Sequence, residues 1–128
     1  YIRNSDGAYI QSADKSLKKD ITLLQPDMQK INTLQSYQYH YLENSKNTNY
    51  SIGFMAQDVQ KKFPDAVSEK IMKDGKTQLG INYQYFTVLA IKGLQEQQGD
   101  IEAQNKKIEV LENQIAELKK LVEQHIKK

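Results

Sequence analysis

Cysteine is absent from the 128-residue sequence, which excludes disulfides and thiolate chemistry. Tryptophan is absent too, and phenylalanine occurs only three times, so a core built by one chain alone is modest. No apolar run approaches the roughly 20 residues needed to span a bilayer, and no signal-peptide pattern is present, so no membrane partner is expected. No block of lysine or arginine dominates either. The 18 basic and 16 acidic side chains are mixed along the chain to a net charge of +2, which argues against a nucleic-acid partner. The two histidines, His40 and His125, lie far apart with no H-x-x-H pattern between them. Neither a metal nor any other cofactor is expected.

What is present points to a chain that shares its apolar surface. Eight tyrosines carry most of the aromatic content, and tyrosine suits half-buried or shared surfaces. A small chain with so few large apolar side chains is expected to depend on association. The first residue is Tyr1 rather than Met, which reads as a piece of something longer.

Along the chain, residues 1–12 read as extended segments around an Asp6-Gly7 turn. Pro26 fits the first turn of a helix in which Met28, Ile31 and Leu34 recur at helical spacing. Tyr37, Tyr39 and Tyr41 then alternate with Gln38 and His40, as a half-buried strand requires. Residues 43–49 form a polar loop. Ser51-Ile52-Gly53-Phe54 leads into a helix over 56–63, stopped by Pro64. Val67 and Ile71 precede the turn signal Lys73-Asp74-Gly75-Lys76, and Leu79, Ile81 and Tyr83 follow it in alternation, which predicts a hairpin. The fold class expected is α+β: short strands, hairpins and helices, followed by a long C-terminal helix.

That helix runs from about Tyr85 to the end, interrupted by Gly93 and Gly99. Its second part carries a heptad. Ile101, Ile108, Ile115 and Val122 occupy a positions; Gln104, Leu111, Leu118 and His125 occupy d positions. Lys107/Glu112 and Gln114/Lys119 have the g-to-e′ spacing used between neighbouring parallel chains. A coiled coil is expected, with a helix folded back on its own domain as the alternative. Ile at a with Leu at d favours two strands, so the seam does not itself give the number three.

Smaller features have plain structural readings. Asp58 and Asp65 are read as a helix-face charge and a turn residue. Gly53 is read as a site of close backbone approach or positive φ, and Gln57 as a buried hydrogen-bonding residue.

Several segments in order resemble one family. They are Asp14-Lys15-Ser16-Leu17-Lys18-Lys19-Asp20-Ile21, Gly53-Phe54-Met55-Ala56-Gln57-Asp58-Val59, Phe63-Pro64-Asp65-Ala66-Val67, Ile81-Asn82-Tyr83 and residues 88–97. Together they resemble the intramolecular chaperone auto-processing domain, a self-cleaving serine peptidase family, at the C-terminus of phage tail spikes, tail fibres and endosialidases. The resemblance implies a homotrimer that guides folding of the upstream fibre or spike of the same chain and then cuts itself off. It also implies a place in a virion tail or on a bacterial surface. On this reading residues 1–12 end the upstream passenger, 13–98 are the chaperone and auto-processing domain, and 99–128 are the coiled coil.

In the family the cut falls before a Ser that opens a Ser-Asp-x-x-Leu-Lys motif. That Ser is the nucleophile and the Lys five residues later its partner. The implied cleavage site here is Ser12/Ala13, with Lys18 in the lysine position and Ala13 in the nucleophile position. A methyl group cannot attack a carbonyl, so the chain is expected to remain uncut. Ser12 sits one residue early and Ser16 three residues late. Side chains five residues apart do not share a face of a helix or a strand. Hence the chain must turn between 13 and 18, or the lysine must come from a neighbour. Ala13 is either natural or introduced. Two further function classes fit the same residues: a passive trimerisation module, and a receptor-binding fibre tip.

Overall fold

The computed structural model describes residues 2–3, 9–43, 46 and 48–127. The expected Asp6-Gly7 turn, and residues 44, 45 and 47 of the polar loop, lie outside the described residues. The architecture is α+β. Three two-stranded antiparallel sheets and two short helices precede one long helix.

β1 (Ile2–Arg3) pairs with β2 (Tyr9–Ile10), in the register Ile2 to Ile10 and Arg3 to Tyr9. A 3₁₀ turn follows at Lys15–Leu17. Helix α1 (Met28–Thr33) is short because Asp27 caps it at one end and the chain returns to extended geometry at Leu34. The Asp27 carboxylate accepts the amide of Lys30 at 3.2 Å. Pro26 therefore lies one residue before the cap rather than in the first turn, a correction to the sequence reading. Its fixed φ directs the chain into the cap instead of starting the helix.

β3 (Tyr37–Tyr39) pairs with β4 (Ser51–Gly53), with Tyr37 opposite Gly53 and Tyr39 opposite Ser51. The strand ends at Tyr39, so Tyr41 belongs to the following turn region and is largely exposed. Helix α2 (Ala56–Lys62) follows, and Phe63-Pro64 ends it as expected, passing into a second 3₁₀ turn over Pro64–Ala66. β5 (Val67–Ile71) and β6 (Thr77–Ile81) form the predicted hairpin, in register from Val67/Ile81 to Ile71/Thr77. Gly75 supplies the positive φ of 81° at its tip, and Asp74 accepts the amide of Lys76 at 2.9 Å.

Asn82 closes the hairpin by donating its amide to the carbonyl of Ala66 at 2.8 Å. Helix α3 (Tyr83–Ile126) starts immediately after it. Tyr83 is thus the first helical residue, not a strand position. Neither Gly93 nor Gly99 breaks the helix, which spans 44 residues, about 66 Å. The expected interruption at Gly93 is instead a contact: a β-carbon there would lie 3.8 Å from Met28 and Ile31 of α1. A helix tolerates an internal glycine for about 1 kcal/mol when packing favours it.

The core is small. Val59, Phe63, Ala66 and Leu89 are buried, with Ile31, Leu34, Phe54, Val67, Ile81, Tyr85 and Phe86 packed around them. Phe86, half-buried, packs against this cluster, its ring 5.1 Å from that of Phe54 and 5.5 Å from that of Phe63. Lys62 Nζ donates to Thr33 Oγ1 at 2.7 Å, tying α2 to α1. From residue 94 to 127 every residue of the long helix and its C-cap is exposed, so α3 does not fold back onto the domain. The single chain exposes 11775 Å². A compact monomer of this size exposes about 7,000 Å².

Candidate functional site

Two regions carry the functional reading: the segment around Ala13–Lys18 and the apolar ridge of α3. The first is organised by Asp14. Its carboxylate accepts the Ser16 amide at 2.8 Å and the Ser16 hydroxyl at 2.7 Å, capping the 3₁₀ turn. Leu17 and Lys18 then donate their amides to the carbonyls of Asp14 and Lys15, each at 3.1 Å. The chain therefore turns between positions 13 and 18.

Both bonds from Ser16, the backbone amide first, hold the Asp14 carboxyl below its ordinary value. An acid so stabilised as the carboxylate is a poor proton acceptor, and the Ser16 hydroxyl is engaged in the cap. Ser16 is accordingly a turn residue rather than a replacement nucleophile. Ser12, Ala13 and Lys18 are all exposed, and so are Leu17, Ile21, Leu23 and Leu24 downstream. Asp20 bends the segment again at a φ of 53°.

The motif Gly53-Phe54-Met55-Ala56-Gln57-Asp58-Val59 is structural. Phe54 donates its amide to the Tyr83 hydroxyl at 3.1 Å, and the two rings stack at 5.8 Å. Tyr83 lies so close to Gly53 that a β-carbon would meet its oxygen at 2.5 Å. Close approach, not positive φ, is the reason for this glycine. Gln57 is exposed, which corrects its reading as a buried hydrogen-bonding residue. Its position in α2 turns it away from the face on which Val59 and Phe63 are buried. Asp58 lies in the first turn of α2, where a negative charge suits the helix dipole, and Asp65 lies in the 3₁₀ turn.

A tyrosine cluster adjoins Gly53 that sequence reasoning did not isolate. The Tyr39 and Tyr41 hydroxyls are 3.3 Å apart, with their rings edge to face at 5.2 Å. The hydrogen bond to Tyr41, followed by desolvation and the nearby Tyr41 and Tyr83 oxygens, pushes Tyr39 up to about 12. Alternation suggested a strand face but gave no sign that Tyr83 would join it. His40 stacks on Tyr50 at 4.1 Å, and its Nε2 lies 3.3 Å from the carbonyl of Thr48, a packing role.

On α3, the predicted a and d side chains Ile101, Ile108, Leu111, Ile115, Leu118 and Val122 lie along the exposed helix, each between 46% and 64% exposed. No partner from the same chain covers them. An exposed apolar ridge of this length is unusual for a surface left in water.

Residues 13–68 match the protein family described as chaperone of endosialidase. The match begins at Ala13 and takes in the capped turn, the tyrosine strands, α2 and the start of the hairpin. No curated protein sequence matches the chain.

Proposed function

We propose that this chain is a C-terminal intramolecular chaperone that works as a parallel homotrimer. It assists folding of a fibre or spike segment preceding it in the same chain and stays attached to it. Residues 1–12 are the end of that passenger, 13–98 the chaperone domain and 99–128 its coiled coil. The observation that carries this reading is the match to the chaperone-of-endosialidase family, whose first residue is Ala13 itself. The bare a/d ridge of α3 supports assembly. The number three comes from the family resemblance.

Retention of the passenger follows from position 13. Where self-cleaving members carry serine, this chain carries a methyl group, and Lys18 has no hydroxyl to serve. A lysine acts as base only when neutral, and burial favours that form. Lys18 is exposed in the single chain, so its burial has to come from an assembled neighbour. Cleavage in an active relative would then follow assembly.

The test is Ala13→Ser. The new hydroxyl attacks the carbonyl of Ser12 and passes its proton to Lys18. The peptide nitrogen leaves as an amine, and the resulting ester is opened by water. Tethering supplies a high effective concentration. Mass spectrometry should show loss of residues 1–12 once the protein has assembled. An assembled Ala13→Ser protein that stays full length for days from neutral to mildly alkaline pH defeats the processing assignment and leaves a passive trimerisation module.

A further inference from the structure

Helix α3 has no break between Tyr83 and Ile126, so the heptad of its outer part counts back into the globular body without a shift. On that count Phe86, Gly93 and Asp100 are g positions, Ile91 and Gln98 are e positions, and Ala90 and Gln97 are d positions. The body of the domain packs on the g side. Phe86, half-buried, packs on Phe54 and Phe63, and the buried Gly93 faces Met28 and Ile31. The e side has no such cover: Ile91 is 54% exposed and its neighbour Val88 is 61% exposed. Each domain is therefore one-sided about its own helix.

A parallel coiled coil sets a g residue beside the e residue five positions further along the neighbouring chain. Lys107 and Glu112 stand in that relation with opposite charges, which favours this register between copies. Counting back by sevens from Lys107 and Glu112 brings Phe86 opposite the partner's Ile91. Beside Phe86 lies an apolar groove of about 190 Å³, lined by Ile31, Leu34, Phe54, Leu89 and Ala90 among others. Because Ala90 holds a d position, the groove opens at the seam, on the side from which the e residue of a second copy approaches.

We propose that Ile91 of a second copy of this chain fills this groove, so that each small core is completed by its neighbour. The proposal rests on the reading of α3 as a parallel assembly, and adds that the globular bodies interlock head to tail around the axis. The e residue of each chain enters the body of the next, and the ring closes when the last body receives the first chain's Ile91.

The absence of cysteine allows a direct test on the full chain. Ser36 also lines the groove. In the Ser36→Cys, Ile91→Cys double variant, mild oxidation should produce covalently linked chains on a non-reducing denaturing gel, which neither single variant gives. Only single-chain bands from a protein that sediments as an oligomer overturn the pairing and leave the assembly reading intact. A monomer on sedimentation of the unsubstituted protein overturns both. A second variant, Ile91→Lys, removes nothing from the core of its own chain. It should shift the assembly equilibrium toward single chains on sedimentation; association as tight as before overturns the proposal.

Discussion

The hydroxyl of Tyr83 presses on Gly53, where a β-carbon would meet it at 2.5 Å, and accepts the amide of Phe54 next door. This one oxygen fixes the start of the long helix against the β3–β4 pair. Gly53→Ala should therefore cost about 1–3 kcal/mol by overpacking. A loss of 1 kcal/mol lowers the melting temperature of a domain this small by about 4–8 °C. Thermal unfolding checks the value. Combining Gly53→Ala with Tyr83→Phe should restore part of it, because the second change removes the oxygen that clashes.

The tyrosine pair makes an alkaline prediction. Tyr39 ionises at about 12, against an ordinary 10.0, because its hydrogen bond to Tyr41 favours the protonated form. A folded-state value above the unfolded one contributes stability that is complete below about pH 10 and lost as pH rises toward 12. Phenolate absorbance should show one late-titrating tyrosine. In Tyr41→Phe that titration should move back toward the ordinary value, since the hydroxyl that Tyr39 pairs with is gone.

Assembly is testable at the seam. Ile108→Asp together with Ile115→Asp places like charges on a shared axis, where burying an unpaired charge costs several kcal/mol. Sedimentation equilibrium should report a trimer for the unsubstituted chain and a monomer for the double variant. Circular dichroism should show loss of helix beyond the globular body, because a long helix with no partner loses its packing support. A dimer for the unsubstituted chain would mean that the Ile/Leu seam sets the number.

The chemistry of position 13 separates three lysines. In the Ala13→Ser background, Lys18→Ala should abolish or greatly slow release of residues 1–12, while Lys15→Ala and Lys19→Ala should leave it largely intact. Asp14→Ala should slow it by a smaller factor, since the cap that turns the chain between 13 and 18 is removed. Breaking the seam in the same background should suppress cutting. Timed mass spectrometry distinguishes these outcomes.

The local devices were legible in the sequence because each acts within one or two turns of chain. Asp74-Gly75 specifies the hairpin tip through a positive φ that glycine adopts freely. Phe63-Pro64 stops α2, and the isoleucines seven residues apart mark the ridge of α3. Ala13 and Lys18 were visible as a spacing, which left open a turn between them or a lysine from a neighbour. Contacts between distant residues were not legible. Tyr83 reads as one more alternating strand position until its hydroxyl is seen on Phe54, 29 residues earlier. Gly93 reads as a helix breaker until α1 is seen packed against it. Gln57 reads as a buried hydrogen-bonding residue of its motif, yet the helix turns it outward. The sequence by itself determined the hairpin and the heptad, because steric limits and side-chain periodicity act on neighbouring residues. Only the tertiary structure decided which side of α3 the domain occupies, and so which side is left bare. That choice depends on where Phe54, Phe63 and Ile31 converge on Phe86 and Leu89, and no local preference encodes it.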